Sequence, residues 1–308
     1  DIIEGIRSIF DQDGSNQILS ITNMKRTELS LVHAPLAEFM EKFRTGYFGR
    51  RNKFQKMTMP LVVKEILEPG STANPLAKEF AKAINEAMEI GRTRTNQFGG
   101  RVAKIKGNYL PQPHNSTKIG RVPQEEWTKD ISSYLDLEQM INNKTNRSFT
   151  QEELLLELPN TYNAIRTEGV NRLTPGARMG SSSLGNQRLD HRFLVFKDAE
   201  SYLAYQSKYG DADVISTIYQ HLESISRDTA MMRALGPNPN SGFRFLKDIV
   251  RIETKDLDLK PQDAIRSKLE GLENLYMTHS GRLNSAADKN IANGFAGLRH
   301  MLTSSVIG

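Results

Sequence analysis

Apolar residues along the chain recur with a helical period. Behind Asn74, which can cap a helix, and Pro75, which suits its first turn, Leu76, Phe80, Ile84, Ala87 and Met88 fall on one face, and Gly91 is expected to loosen it. Pro123 precedes Trp127, Ile131 and Tyr134 at the same spacing. Thr150 and Glu153 stand three apart ahead of Leu154-Leu155-Leu156, a capping box in which each side chain satisfies an otherwise unpaired backbone amide, and Pro159 is expected to end that short helix. The clearest helix runs from about Asp213 to Leu235, with Val214, Ile218, Leu222, Ile225, Met232 and Leu235 on one stripe and Gly236-Pro237 as its stop. Pro261 opens another carrying Ile265, Leu269, Leu272 and Tyr276, and a last one carries Ile291, Phe295, Leu298 and Leu302. Period-two alternation is scarce, and His191 to Phe196 is the best strand candidate. The pattern predicts a mainly α protein, multi-helical with few short strands, and is compatible with an elongated form.

Two stretches read as loops. Arg172 to Gln187 holds three glycines, a proline and Ser181-Ser182-Ser183, too little apolar surface to bury, and reads as a linker. Gly99 to Pro123 is rich in glycine, proline and base. The resulting division is an N-terminal helical segment over 1–98, a basic loop plus helical segment over 99–171, a flexible linker over 172–189 and a C-terminal helical module over 190–308. The chain opens on Asp1, followed at once by the apolar Ile2, Ile3, Ile6 and Ile9, and stops at Val306-Ile307-Gly308 without a polar tail. Both ends lead us to expect a piece of a longer polypeptide.

Composition narrows the chemistry. Of the 308 residues 38% are hydrophobic and 25% charged, which suits a folded chain, and none is cysteine, so disulfides, thiolate nucleophiles and sulfur-ligated metals are excluded. The longest apolar runs are far shorter than the roughly 20 residues that cross a bilayer. Net charge is +5. It is unevenly placed: Arg92, Arg94, Arg101, Lys104, Lys106, Lys118 and Arg121 lie between Gly91 and Gln124 without an intervening acid. Lys42, Arg44, Arg50, Arg51, Lys53 and Lys56 alternate with Phe43, Tyr47, Phe48 and Phe54. Cations among aromatics suit phosphate contact and stacking. Arg50, Arg51, Lys53, Arg92, Arg94, Arg101, Lys104, Lys106, Lys118 and Arg121 are therefore the candidate nucleic-acid contacts; a solvated face, or pairing with acids of neighbouring subunits, is the competing reading. No sequence-reading module can be placed, so any binding would be directed at the backbone.

Six histidines are present, no two at helical ligand spacing, and phosphate-binding and nucleophile-elbow motifs are absent. The reading assigns no metal, no cofactor and no catalytic residue. Asp190-His191 with Asp198, His221, Glu223 and Asp228 would make acid, base and orienting groups only if strand and helix folded together. Packing is the stronger reading for each, and Arg227-Asp228 reads as an ion pair.

Asn108-Tyr109-Leu110-Pro111-Gln112-Pro113-His114-Asn115, then Asp190 through Tyr205, then His221 to Asp228 and Ala234-Leu235-Gly236-Pro237-Asn238-Pro239 occur in this order. As a set, covering roughly Gly91 to the C-terminus, they resemble a region of very large bacteriophage internal virion, or DNA-ejection, proteins. The resemblance implies a mostly helical polypeptide packaged in the virion interior near the portal. It would be released through the tail into the host cell envelope or periplasm, where it would form a conduit for the genome. Implied partners are other copies of the chain, other ejection proteins, portal or tail proteins, non-specifically bound double-stranded DNA and, indirectly, the host envelope. The second reading is an enzymatic or accessory domain of the same giant protein, a cell-wall hydrolase or virion polymerase; the third is a non-specific nucleic-acid-binding module.

Overall fold

The computed structural model describes residues 2–10, 20–47, 58–102, 104, 109–142, 145, 147–166, 194–210, 213–255 and 259–281. The protein is mainly α-helical. In chain order the helices are α1 (Ile2–Phe10), α2 (Ile21–Tyr47), α3 (Met59–Leu67), α4 (Pro75–Gln97), α5 (Ser116–Gly120), α6 (Gln124–Ser132), α7 (Gln151–Arg166), α8 (Ala199–Tyr209), α9 (Val214–Leu235), α10 (Pro239–Thr254) and α11 (Leu259–His279). Between α6 and α7, β1 (Ile141–Asn142) and β2 (Arg147–Ser148) pair antiparallel, Ile141 opposite Ser148 and Asn142 opposite Arg147.

Side chains set many of the helix starts. Asn74, Asp198, Asp213 and Asn238 each accept a hydrogen bond from the amide three residues on, at Ala77, Ser201, Ser216 and Ser241. The capping box is present in both directions: the Thr150 amide donates to Glu153 at 3.1 Å and the Glu153 amide to Thr150 Oγ1 at 3.2 Å. The α9–α10 corner is a stop-and-start signal within four residues. Gly236 closes α9 at φ 87°, where a side chain would be strained, Asn238 caps α10 and Pro239 fills its first turn.

One expected helix end and one expected loosening differ. α7 runs through Pro159 to Arg166. A mid-helix proline costs about 3 kcal/mol, and beyond it Tyr162 buries on the same face as Leu154 and Leu158 while Ile165 packs against the same core, at about 2 kcal/mol each. α4 likewise continues six residues past Gly91, because a β-carbon there would stand only 3.2 Å from Ile225 Cγ2, and glycine lets α4 and α9 approach. The strand candidate is corrected too. Residues 191–193 lie outside the described residues, and Phe196 makes a single antiparallel bridge to Leu135, held by Asp136 N to Val195 O at 2.8 Å and Lys197 N to Tyr134 O at 2.9 Å. The linker over 172–189 and the expected helix from Ile291 to Leu302 also lie outside the described residues.

Three apolar cores share helices. The first gathers Val32, Leu36 and Phe39 of α2, Val62 and Ile66 of α3, Phe80 and Ile84 of α4, Tyr202 of α8 and Ile218 and Leu222 of α9. Phe39 and Phe80 stack in it at 4.4 Å. The second joins α1, the start of α2, the end of α9, α10 and α11, with Phe243 stacked on Tyr276 at 4.3 Å and Phe10 edge-on to both. The third joins α5, α6, α7 and α8 around Trp127. α2 and α9 span the first two cores and α8 spans the first and third, so the cores cannot separate without breaking a helix.

Candidate functional site

Two of the four stretches that carry the resemblance meet in space. Residues 109–115 lie against α8 as a strap fastened at successive turns by Tyr202, Tyr205 and Tyr209, which share one buried face. The Tyr202 hydroxyl donates to the Pro111 carbonyl at 2.8 Å, Tyr205 Oη lies 2.8 Å from His114 Nδ1, and the Asn115 amide donates to the Tyr209 carbonyl at 2.8 Å. Gln112 reaches past the helix to the Leu194 carbonyl at 2.9 Å, and Asn115 then caps α5. The Tyr209 hydroxyl and Lys208 both donate to Asp130 Oδ2 of α6, at 2.8 and 2.7 Å.

Burial raises the Tyr202 and Tyr205 phenols well above the ordinary range, and burial followed by the hydrogen bond to Asp130 pushes Tyr209 up to about 12. All three stay protonated at neutral pH. They supply hydrogen bonds here, and no phenolate for chemistry.

At the other end of α4 sits an ionic knot. Glu28 of α2 is 1% exposed and accepts from Nε and Nη2 of Arg94 at 2.7 and 2.5 Å, with Arg233 of α9 at 3.5 Å. Both arginines lie over the Phe98 ring, at 5.3 and 5.6 Å. One helical turn back, the buried Thr95 and Thr229 hydroxyls are 3.0 Å apart, tying α4 to α9. The bond to Glu28 raises Arg94 further above its ordinary value.

That knot redistributes the candidate cations. Arg94 is committed to Glu28, and Arg92 to Glu89 at 2.9 and 2.8 Å and to the Val102 carbonyl. The hydrogen bond from Arg92 holds the Glu89 carboxyl below its usual range. Lys104 is 71% exposed with Glu89 at 3.8 Å, Lys118 is exposed while its ammonium touches the Gly210 carbonyl at 2.8 Å, and Arg101 and Arg121 are exposed. Arg50, Arg51, Lys53 and Lys106 lie outside the described residues. A basic region that the sequence pattern did not single out is the groove of about 470 Å3 between α10 and α11, lined by Lys247, Arg251, Lys255 and Arg266 together with Glu270 and Glu273.

The conditional acid–base set does not gather. Asp190 and His191 lie outside the described residues. Asp198 caps α8, His221 packs on Tyr109 with ring centres 5.4 Å apart, Glu223 pairs with Lys25 of α2 at 2.8 Å, and Asp228 pairs with Arg227 at 3.1 Å. The unforeseen titratable group is His33, edge-on to Tyr219, whose Nε2 finds no hydrogen-bond partner among the described residues. Burial drives its pKa down to about 4, against a smaller upward pull from Glu223. Among the described residues no helix is long and apolar enough to cross a membrane, and no group of three or more carboxylates and imidazoles could hold a metal ion.

Fold and site together define a mainly helical protein of three shared cores, held by buried polar ties between distant helices, with most cations among the described residues on the surface. Comparison with protein-family models, with curated proteins and with solved structures finds no match.

Proposed function

We propose that this chain is a structural, conduit-forming segment of a virion-packaged ejection protein. In this reading it assembles with its own copies and with other ejection, portal or tail proteins, travels from the virion interior to the host envelope, and touches double-stranded DNA without reading sequence. The observation that carries the reading is the strap on α8. Residues 109–115, 194–205 and His221 of the resemblance pack against one another, as a fold-defining set would, and the tyrosines of α8 are held in a state suited to hydrogen bonding. Among the candidate contacts, DNA binding falls to those that face solvent, Arg101, Lys104, Lys118 and Arg121.

Neutralising about four phosphates gives a slope of about −3.6 in log affinity against log salt, a loss of about 150-fold between roughly 50 and 200 mM. A slope steeper than that would bring in the basic residues around 50–53 and Lys106. Fluorescence anisotropy with duplexes of unrelated sequence measures it, and R101E/K104E/R121E should flatten the slope by about 3. A salt-independent affinity, or strong preference for one duplex, would sink the DNA part of the proposal. Mass spectrometry of purified particles tests the rest: absence of this sequence from virions would overturn it.

A further inference from the structure

α10 is apolar on two faces. Phe243, Leu246 and Val250 turn into the second core, while on the opposite side Phe245 is 65% exposed, Ile252 is 64% exposed, and Ile249 lies between them at helical spacing. Leaving two large apolar side chains in water forgoes about 2 kcal/mol each. One edge of this stripe carries Arg244, Arg251 and Lys255 with one acid among them, Asp248, which pairs with Arg251 at 3.3 Å, and is net basic.

A second uncovered patch lies on α7. Leu156 is 77% exposed and Leu155 43%, while Leu154, Leu158 and Tyr162 of the same helix face the third core. Here the surround is acidic: Glu152 sits one turn before both leucines, Glu157 follows them, and neither has an ion-pair partner among the described residues. The two patches therefore match in apolar character and oppose in charge.

We propose that α10 of one copy docks on α7 of the next, the Phe245–Ile252 stripe covering Leu155 and Leu156 and the basic edge of α10 facing Glu152 and Glu157. Self-pairing of α10 fits less well. An antiparallel two-fold arrangement sets one net-basic edge against another, and a parallel one adds only Glu253 to the Asp248 already paired with Arg251. Two different patches make a head-to-tail contact, which propagates into a ring or a filament. This rests on the assembling role proposed above and is independent of DNA binding, so its failure leaves the salt-dependence test standing.

The test exploits the asymmetry. Phe245→Asp damages the α10 stripe and Leu156→Lys the α7 patch, so each variant alone should lose higher assemblies, with association weakened at least about tenfold. Mixed in equal amounts, they retain one intact interface between them and should form a capped dimer of twice the 34.7 kDa chain mass, read by light scattering after size exclusion. Circular dichroism checks that both variants fold. A wild-type chain that stays monomeric at all concentrations, assembly untouched by Leu156→Lys, or a mixture that stays monomeric would each overturn the proposal. So would assembly that appears only after removal of residues 282–308, since the stripe would then be covered by its own chain.

Discussion

Replacing Arg94 by alanine isolates the ionic knot. The substitution leaves the Glu28 carboxylate, 1% exposed, with Arg233 at 3.5 Å in place of two charge-assisted bonds at 2.7 and 2.5 Å. Stripping one partner from a buried pair costs about 3–5 kcal/mol; the remaining Arg233 contact reduces this to about 2–3. A surface pair would cost less than about 1. In urea, with a slope of about 3 kcal/mol per molar for a chain of this size, the midpoint followed by circular dichroism should fall by about 0.7–1 M. Glu28→Gln should cost a similar amount, because its amide keeps one acceptor but turns an N–H toward a guanidinium that offers only donors. The double variant E28M/R94M should lie within about 1 kcal/mol of the native chain, since neither charge of the bidentate pair is left buried and Arg233, 35% exposed, can reach water. An R94A cost below about 1 kcal/mol, or a double variant as unstable as the two singles summed, refutes the reasoning.

Three further outcomes follow from the same packing. At Gly91 a valine cannot avoid Ile225 and should destabilise by about 1–3 kcal/mol, most of it recovered in the double variant with Ile225→Ala; equal urea midpoints for G91V and the native chain would show that the helices are not in contact there. His33 is held neutral, with a folded pKa of about 4 beneath the ordinary 6.5, so the unfolded chain binds the extra proton; stability is fully present above pH 6.5, falls as pH drops towards 4 and is level below that. Allowing for partial exposure, the loss specific to this residue is about 2 kcal/mol, and urea midpoints of H33Q against the native chain from pH 7.5 to 4 should converge; parallel profiles would contradict it. In an alkaline titration at 295 nm, at least two of the nine tyrosines, Tyr202 and Tyr205, should stay silent until the chain unfolds, because their raised phenols contribute stability below the unfolded pKa that is lost as pH climbs above it; nine phenols titrating together near pH 10 would be incompatible with the strap.

The local half of this fold is legible in the sequence. Caps and turns act over three or four residues, so Asn74 before Pro75, the Thr150–Glu153 box and the Gly236-Pro237 stop can be read directly. The loosening expected at Gly91 and the helix end expected at Pro159 fail for one cause: local propensity disfavours helix there, and burial of residues beyond each outweighs that preference. Pattern reading has no access to this, because Ile225 stands 134 residues from Gly91. Basic clustering in sequence failed for the same reason. Arg92 and Arg94 belong to a run free of acids, yet their partners are Glu89, just before the run, and Glu28 on a separate helix.

The tyrosines show how far such reading reaches. Tyr202, Tyr205 and Tyr209 at intervals of three and four can be placed on one helical face from sequence alone, and Asn108 to Asn115 is distinctive without any periodicity. What joins them is hydroxyl-to-carbonyl and amide-to-carbonyl geometry across more than ninety residues, which neither segment encodes by itself. A buried phenol needs a partner for its hydroxyl, and an irregular backbone strap needs partners for its carbonyls and amides; each supplies what the other lacks. Mutual satisfaction of this kind makes the two segments interdependent. Y202F, which frees the Pro111 carbonyl, should therefore loosen residues 109–115 as measured by amide exchange, and not only α8. Faster exchange confined to α8 would mean that the strap is held by Leu110 burial alone.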